Sequence, residues 1–276
     1  MTDGLEKNAA PRKMTVPRMV EKKRKGEKIA VLTAYDYPFA GLLDQAGIDI
    51  LLVGDTVGIV VQGEESTLPV TLDQMIYHTR MVSRAANRAL VIGDMPFLSY
   101  QVSIDDTIRS AGRFLKEGGA AAVKLEGGAR MADRIEALAR YDIPVMAHIG
   151  LTPQSVHRMG GYKVQGKGEV QARELLADAK RVESAGAFSM ILEGIPRLLA
   201  KEITESVGIP TIGIGAGPHC DGQVLVLHDL LGLFTRFHPK FVRRYADLSA
   251  TVADAVGRYK SDVELGLFPT EAESYE

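Results

Sequence analysis

The chain holds a single cysteine, Cys220, among its 276 residues. One thiol closes no intrachain disulfide and builds no thiolate metal cluster, which fits a reducing, cytoplasmic setting. No charge of one sign dominates: 33 Lys and Arg face 35 Asp and Glu, for a formal net charge of -2. That balance gives no electrostatic reason to expect nucleic acid or an anionic membrane as partner. The longest basic cluster, Lys22, Lys23, Arg24 and Lys25, sits between Glu21 and Glu27 and reads as a solvated helix end or turn. Residues 1–13 lack an apolar segment, so they are expected to form neither a signal peptide nor a membrane span but a frayed tail. The chain also lacks internal repeats, low-complexity stretches and Pro/Ser-rich linkers, leaving no sign of an internal domain boundary.

What it does have is eight short runs rich in Val, Ile, Leu and Ala, near 29–34, 49–53, 89–93, 120–125, 143–147, 187–192, 210–214 and 223–227. None alternates apolar with polar residues, and continuous apolar strands are those buried on both faces, as in parallel sheets covered by helices. Helical spacing fills the gaps. Thr71 with Gln74 has the form of a capping box opening a helix to about Asn87, and Ser103 with Asp106 opens another ending at Gly118 and Gly119. Further helices are expected over 129–141, 169–185 and 196–207, and a long one over about 239–264, where Phe241, Tyr245, Leu248, Val252 and Val256 keep helical spacing. Eight strands alternating with helices predict an α/β fold, a single-domain (β/α)8 TIM barrel. An open doubly wound sheet should show GxGxxG after its first strand, and that position reads TAYDYPFA. The barrel domain is expected over 14–265, followed by a C-terminal tail over 266–276.

Four acids stand at the ends of these apolar runs: Asp55, Asp94, Glu126 and Glu193. In a barrel all strands open their carboxyl ends onto one mouth, so these acids are expected to converge there with Lys124 and His148. Lys124 and Glu126 are two residues apart and so point to the same side of one strand. Singly, each acid reads equally as a helix cap or turn former, and His148 as a core histidine. Together, carboxylates that repel in a low dielectric call for a cation. The donors are oxygen-rich, with no His pair at i, i+4 and no Cys pair, which favours Mg2+ over Zn2+ with positions left for a bidentate 2-oxo acid. Two loops add to this. IGIGAGP, residues 212–218, reads either as a phosphate approach or as close backbone packing, and MGGYKVQGKG, residues 159–168, reads either as a lid or as an ordinary surface excursion.

The segments VGDTVG, GDMPF, AAVKLEGG, HIGLTPQSV, GGYKVQG, ILEGIP and IGIGAGPHCDGQVLVLHD occur in that order between Met14 and Tyr245. They resemble the signature segments of the ketopantoate hydroxymethyltransferase family. The resemblance implies a (β/α)8 barrel assembled as a homodecamer. It also implies transfer of a hydroxymethyl group from the co-substrate 5,10-methylenetetrahydrofolate to 3-methyl-2-oxobutanoate, giving 2-dehydropantoate on the route to pantothenate. By that resemblance one Mg2+ per subunit is held by Asp55 and Asp94 with Glu126 beside it, and the ion stabilises the enolate formed when Glu193 acts as base. Thr56 and Lys124 would contact the oxo acid together with the two Asp residues, and His148 would hydrogen-bond the oxo acid or the new hydroxyl. Thr56 stands where serine is common in the family, keeping the hydroxyl and adding a methyl.

Overall fold

In a computed structural model describing residues 13–276, the eight apolar runs form eight strands. They are β1 (Ile29–Thr33), β2 (Ile50–Val53), β3 (Leu90–Asp94), β4 (Ala122–Glu126), β5 (Val145–Gly150), β6 (Ser189–Glu193), β7 (Thr211–Ile214) and β8 (Gly222–Leu225). Each pairs in parallel with the next, and β8 pairs with β1 to close the barrel. The helices are α1 (Val16–Lys25) ahead of β1, then α2 (Tyr37–Gln45), α3 (Leu72–Ala85), α4 (Ile104–Lys116), α5 (Ala132–Arg140), α6 (Glu169–Ser184) and α7 (Arg197–Ser206). Thr71 and Gln74 form the expected capping box on α3, and the Ser103 hydroxyl accepts the Asp106 N–H to open α4. The expected N-terminal tail lies outside the described residues except for Lys13.

The strands carry no polar alternation because both of their faces are buried. One set of side chains, including Ile50, Leu52, Leu90, Ile92, Met146, Ile191 and Ile212, fills one core. The alternate set, including Leu51, Val53, Val91, Val123, Val145 and Leu192, packs with helix residues such as Val82, Phe114 and Ile203 in another. The first set is the barrel interior, and Met19 of α1 packs fully buried with it. Lys22 binds Asp49 and Lys23 binds Asp221, each at 2.8 Å. These acids precede β2 and β8, so α1 is pinned at the amino-terminal end of the barrel. The solvated reading of the basic cluster therefore holds for Arg24 and Lys25 but not for Lys22 and Lys23, whose side chains are 20% and 14% exposed.

A second anchor is Asp44, buried in the last turn of α2, whose carboxylate accepts the N–H groups of Asn87 at 3.0 Å, Arg88 at 2.9 Å and Ala89 at 2.7 Å. Burial by itself would raise this carboxyl, but the three donors outweigh it and hold it below the usual carboxylate range. The entry to β3, and with it the height of Asp94, is fixed through this clamp.

Residues Val226–Glu276 form a compact unit of their own. Its helix α8 spans Leu248–Glu264, nine residues shorter at its start than the spacing predicts, because Asp247 caps it by accepting the Ala250 N–H. Upstream, Tyr245 donates its N–H to Leu230 O and Leu248 donates to Leu231 O. Backbone donors directed to residues 230 and 231 are unavailable for helical i−4 pairing, so Phe241 and Tyr245 precede the helix despite their spacing. Among the described residues no helix is long and apolar enough to cross a membrane.

Candidate active site

Strand register builds the site. Asp94 of β3 lies level with Lys124 of β4, Glu126 of β4 with His148 of β5, and Glu193 of β6 with Gly150 of β5. Side chains two apart along a strand share a face, so Lys124 and Glu126 point the same way, as do His148 and position 150. Each step around the barrel thus moves the polar group two residues nearer the carboxyl end. These positions also continue the parity of the interior set, Leu90 and Ile92 before Asp94 and Ala122 before Lys124, so all five side chains project into the barrel mouth. Asp55 lies two residues past the end of β2 and reaches the same place through the turn leading into a short helix, Val57–Val60. Thr56 occupies that turn as well, half-buried.

The contacts confirm the convergence. Lys124 Nζ donates to Asp94 Oδ1 at 2.7 Å and to Oδ2 at 2.8 Å, with Glu126 Oε1 3.5 Å away. The Asp55 N–H donates to Asp94 Oδ2 at 3.2 Å. His148 lies between two acids, its Nδ1 3.4 Å from Glu126 Oε1 and its Nε2 3.3 Å from Glu193 Oε2. Those two contacts lack hydrogen-bond geometry, which leaves both imidazole nitrogens and Glu126 Oε1 buried without a hydrogen-bond partner. Glu193 is the most open of the acids, its side chain 16% exposed against 3% for Glu126.

A neutral network absent from the sequence reading holds the acids in place. Gln154, in the turn after β5, donates from Nε2 to Asp55 Oδ2 at 3.0 Å and to Met95 O at 2.9 Å, while its backbone N–H donates to Glu126 Oε2 at 3.0 Å. The Tyr100 hydroxyl donates to Gln154 Oε1 at 2.7 Å and accepts the Glu126 N–H at 3.0 Å. Gln154 therefore ties the end of β4 to the segments following β2, β3 and β5. Its only sequence signal is a polar residue just after Pro153 in a loop at the mouth.

The electrostatics follow from the packing. Burial raises the Asp55 carboxyl well above its ordinary value, and the charges of Asp94 and Glu126 raise it further. Burial likewise raises Asp94, against the pull of Lys124. Burial would lower the Lys124 ammonium, but Asp94, Glu126 and Asp55 override it and hold it protonated. Burial and Lys124 would lower His148, yet Glu126 and Glu193 push it up to about 9. As folded, no three His, Cys, Asp or Glu side chains among the described residues already form a metal-binding group. The donor chemistry nonetheless suits a hard cation. Asp55 is a carboxyl raised by burial and by the like charges of Asp94 and Glu126, and Glu126 Oε1 is a buried acceptor without a hydrogen-bond partner.

Both glycine-rich loops have structural accounts. Gly217 sits at φ +81°, where a Cβ would meet Arg197 Cβ at 2.6 Å, and a Cβ at Gly213 would meet Cys220 Sγ at 2.9 Å, so close packing explains these glycines. In the 159–168 loop, Gln165 donates its N–H to Gly194 O at 2.9 Å. Burial raises the Tyr162 phenol, and the charges of Asp55, Glu193 and Glu126 add to the effect.

A closed barrel with its buried charges gathered at the carboxyl mouth is the arrangement of a (β/α)8 enzyme. The chain belongs to the family described as ketopantoate hydroxymethyltransferase, whose model matches residues 13–271. It is 60% identical over 264 residues to the 3-methyl-2-oxobutanoate hydroxymethyltransferase of Geobacter metallireducens, covering 96% of this chain and 99% of that one. Identity to the protein of the same name from Geotalea daltonii is 59% over 261 residues, covering 95% and 98%. Among solved structures the fold is similar to 2,3-dimethylmalate lyase, a PEP mutase/isocitrate lyase superfamily member, with TM-score 0.60, 20% identity and coverage of 96% and 93%. It is also similar to phosphonopyruvate hydrolase in complex with oxalate and Mg++, with TM-score 0.58, 12% identity and coverage of 95% and 92%. At these identities the two structures speak for the fold alone.

Proposed function

We infer that the protein is a 3-methyl-2-oxobutanoate hydroxymethyltransferase acting in pantothenate biosynthesis, with 5,10-methylenetetrahydrofolate as the one-carbon donor. In the net reaction one water is consumed, C3 of the oxo acid gains the hydroxymethyl group, and tetrahydrofolate leaves. Membership of the family over nearly the whole chain supports the activity.

The residue roles rest on the mouth. Glu193 is the base that takes the C3 proton. It is the most open of the four acids and touches none of the Lys124 contacts, so its carboxylate is free to meet a substrate. Lys124 and Thr56 orient the oxo acid, Lys124 by its charge and Thr56 by a hydroxyl that bonds to nothing among the described residues. Asp55 and Asp94 would hold Mg2+, one per subunit, with Glu126 beside it. When bound, that ion supplies Lewis-acid stabilisation of the charge developing on the oxo acid's oxygens. Asp94 already spends both oxygens on Lys124, so its geometry must adjust to take on a metal. His148 hydrogen-bonds the oxo acid or the new hydroxyl, for which its two orphaned ring nitrogens are available. A homodecamer in the cytoplasm belongs to the same reading, and the lone buried Cys220 suits a reducing compartment.

The test is two measurements on the wild type and on Glu193→Gln. One is hydroxymethyl transfer with both substrates. The other is exchange of the C3 proton of 3-methyl-2-oxobutanoate with D2O in the absence of folate. Both should fall about 10²- to 10⁴-fold in the variant, the range for a lost general base. Exchange at the wild-type rate removes Glu193 as base, and a wild type without transfer removes the activity.

A further inference from the structure

The β3–β4 ladder stops one rung short of Glu126. Its last step sets Asp94 beside Lys124, with the Met95 N–H donating to Lys124 O at 2.9 Å. Along β4 the N–H groups alternate between the two neighbouring strands. Val123 and Gly127 donate towards β5, to Pro144 O at 3.0 Å and His148 O at 2.9 Å, so the Glu126 N–H faces β3. A continued parallel ladder would pair it with Met95 O. Neither group makes that bond. The Glu126 N–H donates to the Tyr100 hydroxyl at 3.0 Å, and Met95 O accepts from Gln154 Nε2 at 2.9 Å. The Tyr100 hydroxyl donates in turn to Gln154 Oε1 at 2.7 Å, which completes a chain from one strand to the other. A tyrosine and a glutamine stand where a backbone rung belongs.

This insertion decides where Glu126 points. Tyr100 holds its backbone, and the Gln154 N–H holds its Oε2 at 3.0 Å. Its Oε1 is left without a hydrogen-bond partner, 3.5 Å from Lys124 Nζ and 3.4 Å from His148 Nδ1. That oxygen is the one turned to the charged groups of the mouth. Tyr100 is fully buried, so bulk solvent offers no substitute for its hydroxyl.

A costly turn carries Tyr100 back to β4. Leu98 sits at φ +65°, a region unfavourable to a residue with a Cβ, and its side chain is exposed, so packing does not compensate. Ser99 closes the turn by donating its N–H and its hydroxyl to Pro96 O at 3.1 and 2.7 Å. Thr107 of α4 then donates its hydroxyl to Tyr100 O at 2.8 Å. Between Met95 and Gln101 the one buried polar side chain is Tyr100, so what the strained turn delivers to the barrel is that hydroxyl.

We propose that Tyr100 is a positioning residue of the active site: its hydroxyl, relayed through Gln154, replaces the last rung between β3 and β4 and so sets the aim of Glu126 Oε1. This rests on the reading above in which Glu126 stands beside Mg2+. Tyr100→Phe keeps the ring and deletes the hydroxyl. The Glu126 N–H then either stays unsatisfied or draws the end of β4 towards Met95 O at the expense of Gln154, and the carboxylate shifts. The test is a calorimetric titration of the full-length protein with Mg2+ at saturating 3-methyl-2-oxobutanoate. The Mg2+ Kd should rise about 10- to 100-fold in Tyr100→Phe, the range for losing a group that orients a metal's surroundings, with the number of sites per chain unchanged. Partial unfolding would instead lower the number of sites and leave the Kd alone, which counts against the proposal. Thr107→Val removes an anchor of the same residue but spares the hydroxyl, so it should lower the Tm and keep the Mg2+ Kd within about twofold of wild type. A Kd within twofold in Tyr100→Phe, an equal rise in Thr107→Val, or a wild type that binds no Mg2+ would each overturn the assignment. Binding is read without turnover, so a wild type that binds Mg2+ but transfers nothing counts against the reaction assigned above, and the two Kd ratios still decide the role of Tyr100.

Discussion

Gln154→Leu keeps the bulk of a buried side chain and deletes its polar end. Four hydrogen bonds go: from Nε2 to Asp55 Oδ2 at 3.0 Å and to Met95 O at 2.9 Å, and to Oε1 from Tyr100 at 2.7 Å and Gln101 at 3.1 Å. Two of the partners recover. The Tyr100 hydroxyl can turn to Glu126 O, 3.2 Å away, and Gln101 is exposed enough to reach water. The other two are stranded, one a buried carboxylate oxygen and one a buried carbonyl. A lost bond to a charged group costs about 1.5–3 kcal/mol and a neutral one about 1 kcal/mol, so the variant should lose about 3 kcal/mol. For a chain of this size that is roughly a 6–12 °C fall in Tm.

A second consequence is electrostatic. Burial, Asp94 and Glu126 already raise the Asp55 carboxyl, and the Gln154 amide is one of the groups restraining that rise. Without it, Asp55 holds its proton more tightly, and a proposed metal ligand that must ionise binds more weakly at neutral pH. Calorimetry on the metal-free enzyme measures the first effect, and a Mg2+ titration of the variant against wild type at pH 7 measures the second. A Tm within about 1 °C of wild type together with an unchanged Mg2+ Kd would show that Gln154 does not organise the acids.

Two further predictions concern pH. In the metal-free enzyme His148, pushed up to about 9, should titrate by NMR near that value and shift down by about one unit or more in Glu126→Gln; a wild-type midpoint near the ordinary ~6.5 contradicts the pairing. Because its folded value is raised, its contribution to stability is complete below about 6.5 and is lost as pH rises through about 9. Asp44 has the opposite sign. Its folded value is depressed, so its contribution is present above the unfolded value of about 3.9 and is lost as pH falls through the folded one. Asp44→Asn turns an acceptor of three N–H groups into one that offers an amide donor, and should cost about 2–3 kcal/mol by urea unfolding at pH 7, with the difference from wild type shrinking toward pH 3. Equal urea midpoints at pH 7 would show that the clamp is not stabilising.

How far the sequence reaches into this fold depends on whether a signal is local. The barrel strands are legible because burial on both faces removes polar residues from runs such as 89–93 and 120–125, and each strand falls within a few residues of its run. The inward aim of Lys124 and Glu126 is legible because their spacing of two is a property of one strand. The start of α8 is not: helical spacing continues back through Phe241 and Tyr245, and only backbone bonds to Leu230 and Leu231 stop the helix. Lys22 and Lys23 look solvated because their carboxylates are 27 and 198 residues away. Gln154 has the same difficulty in stronger form, since Tyr100, Met95 and Asp55 lie 54, 59 and 99 residues from it. Charge stands out in a sequence because burying it is costly and needs a reason, so four acids at strand ends attract notice at once. A neutral amide has no such cost to advertise, although the acids depend on it for their geometry. The residues easiest to find in this chain are buried only because residues of ordinary appearance make that burial tolerable.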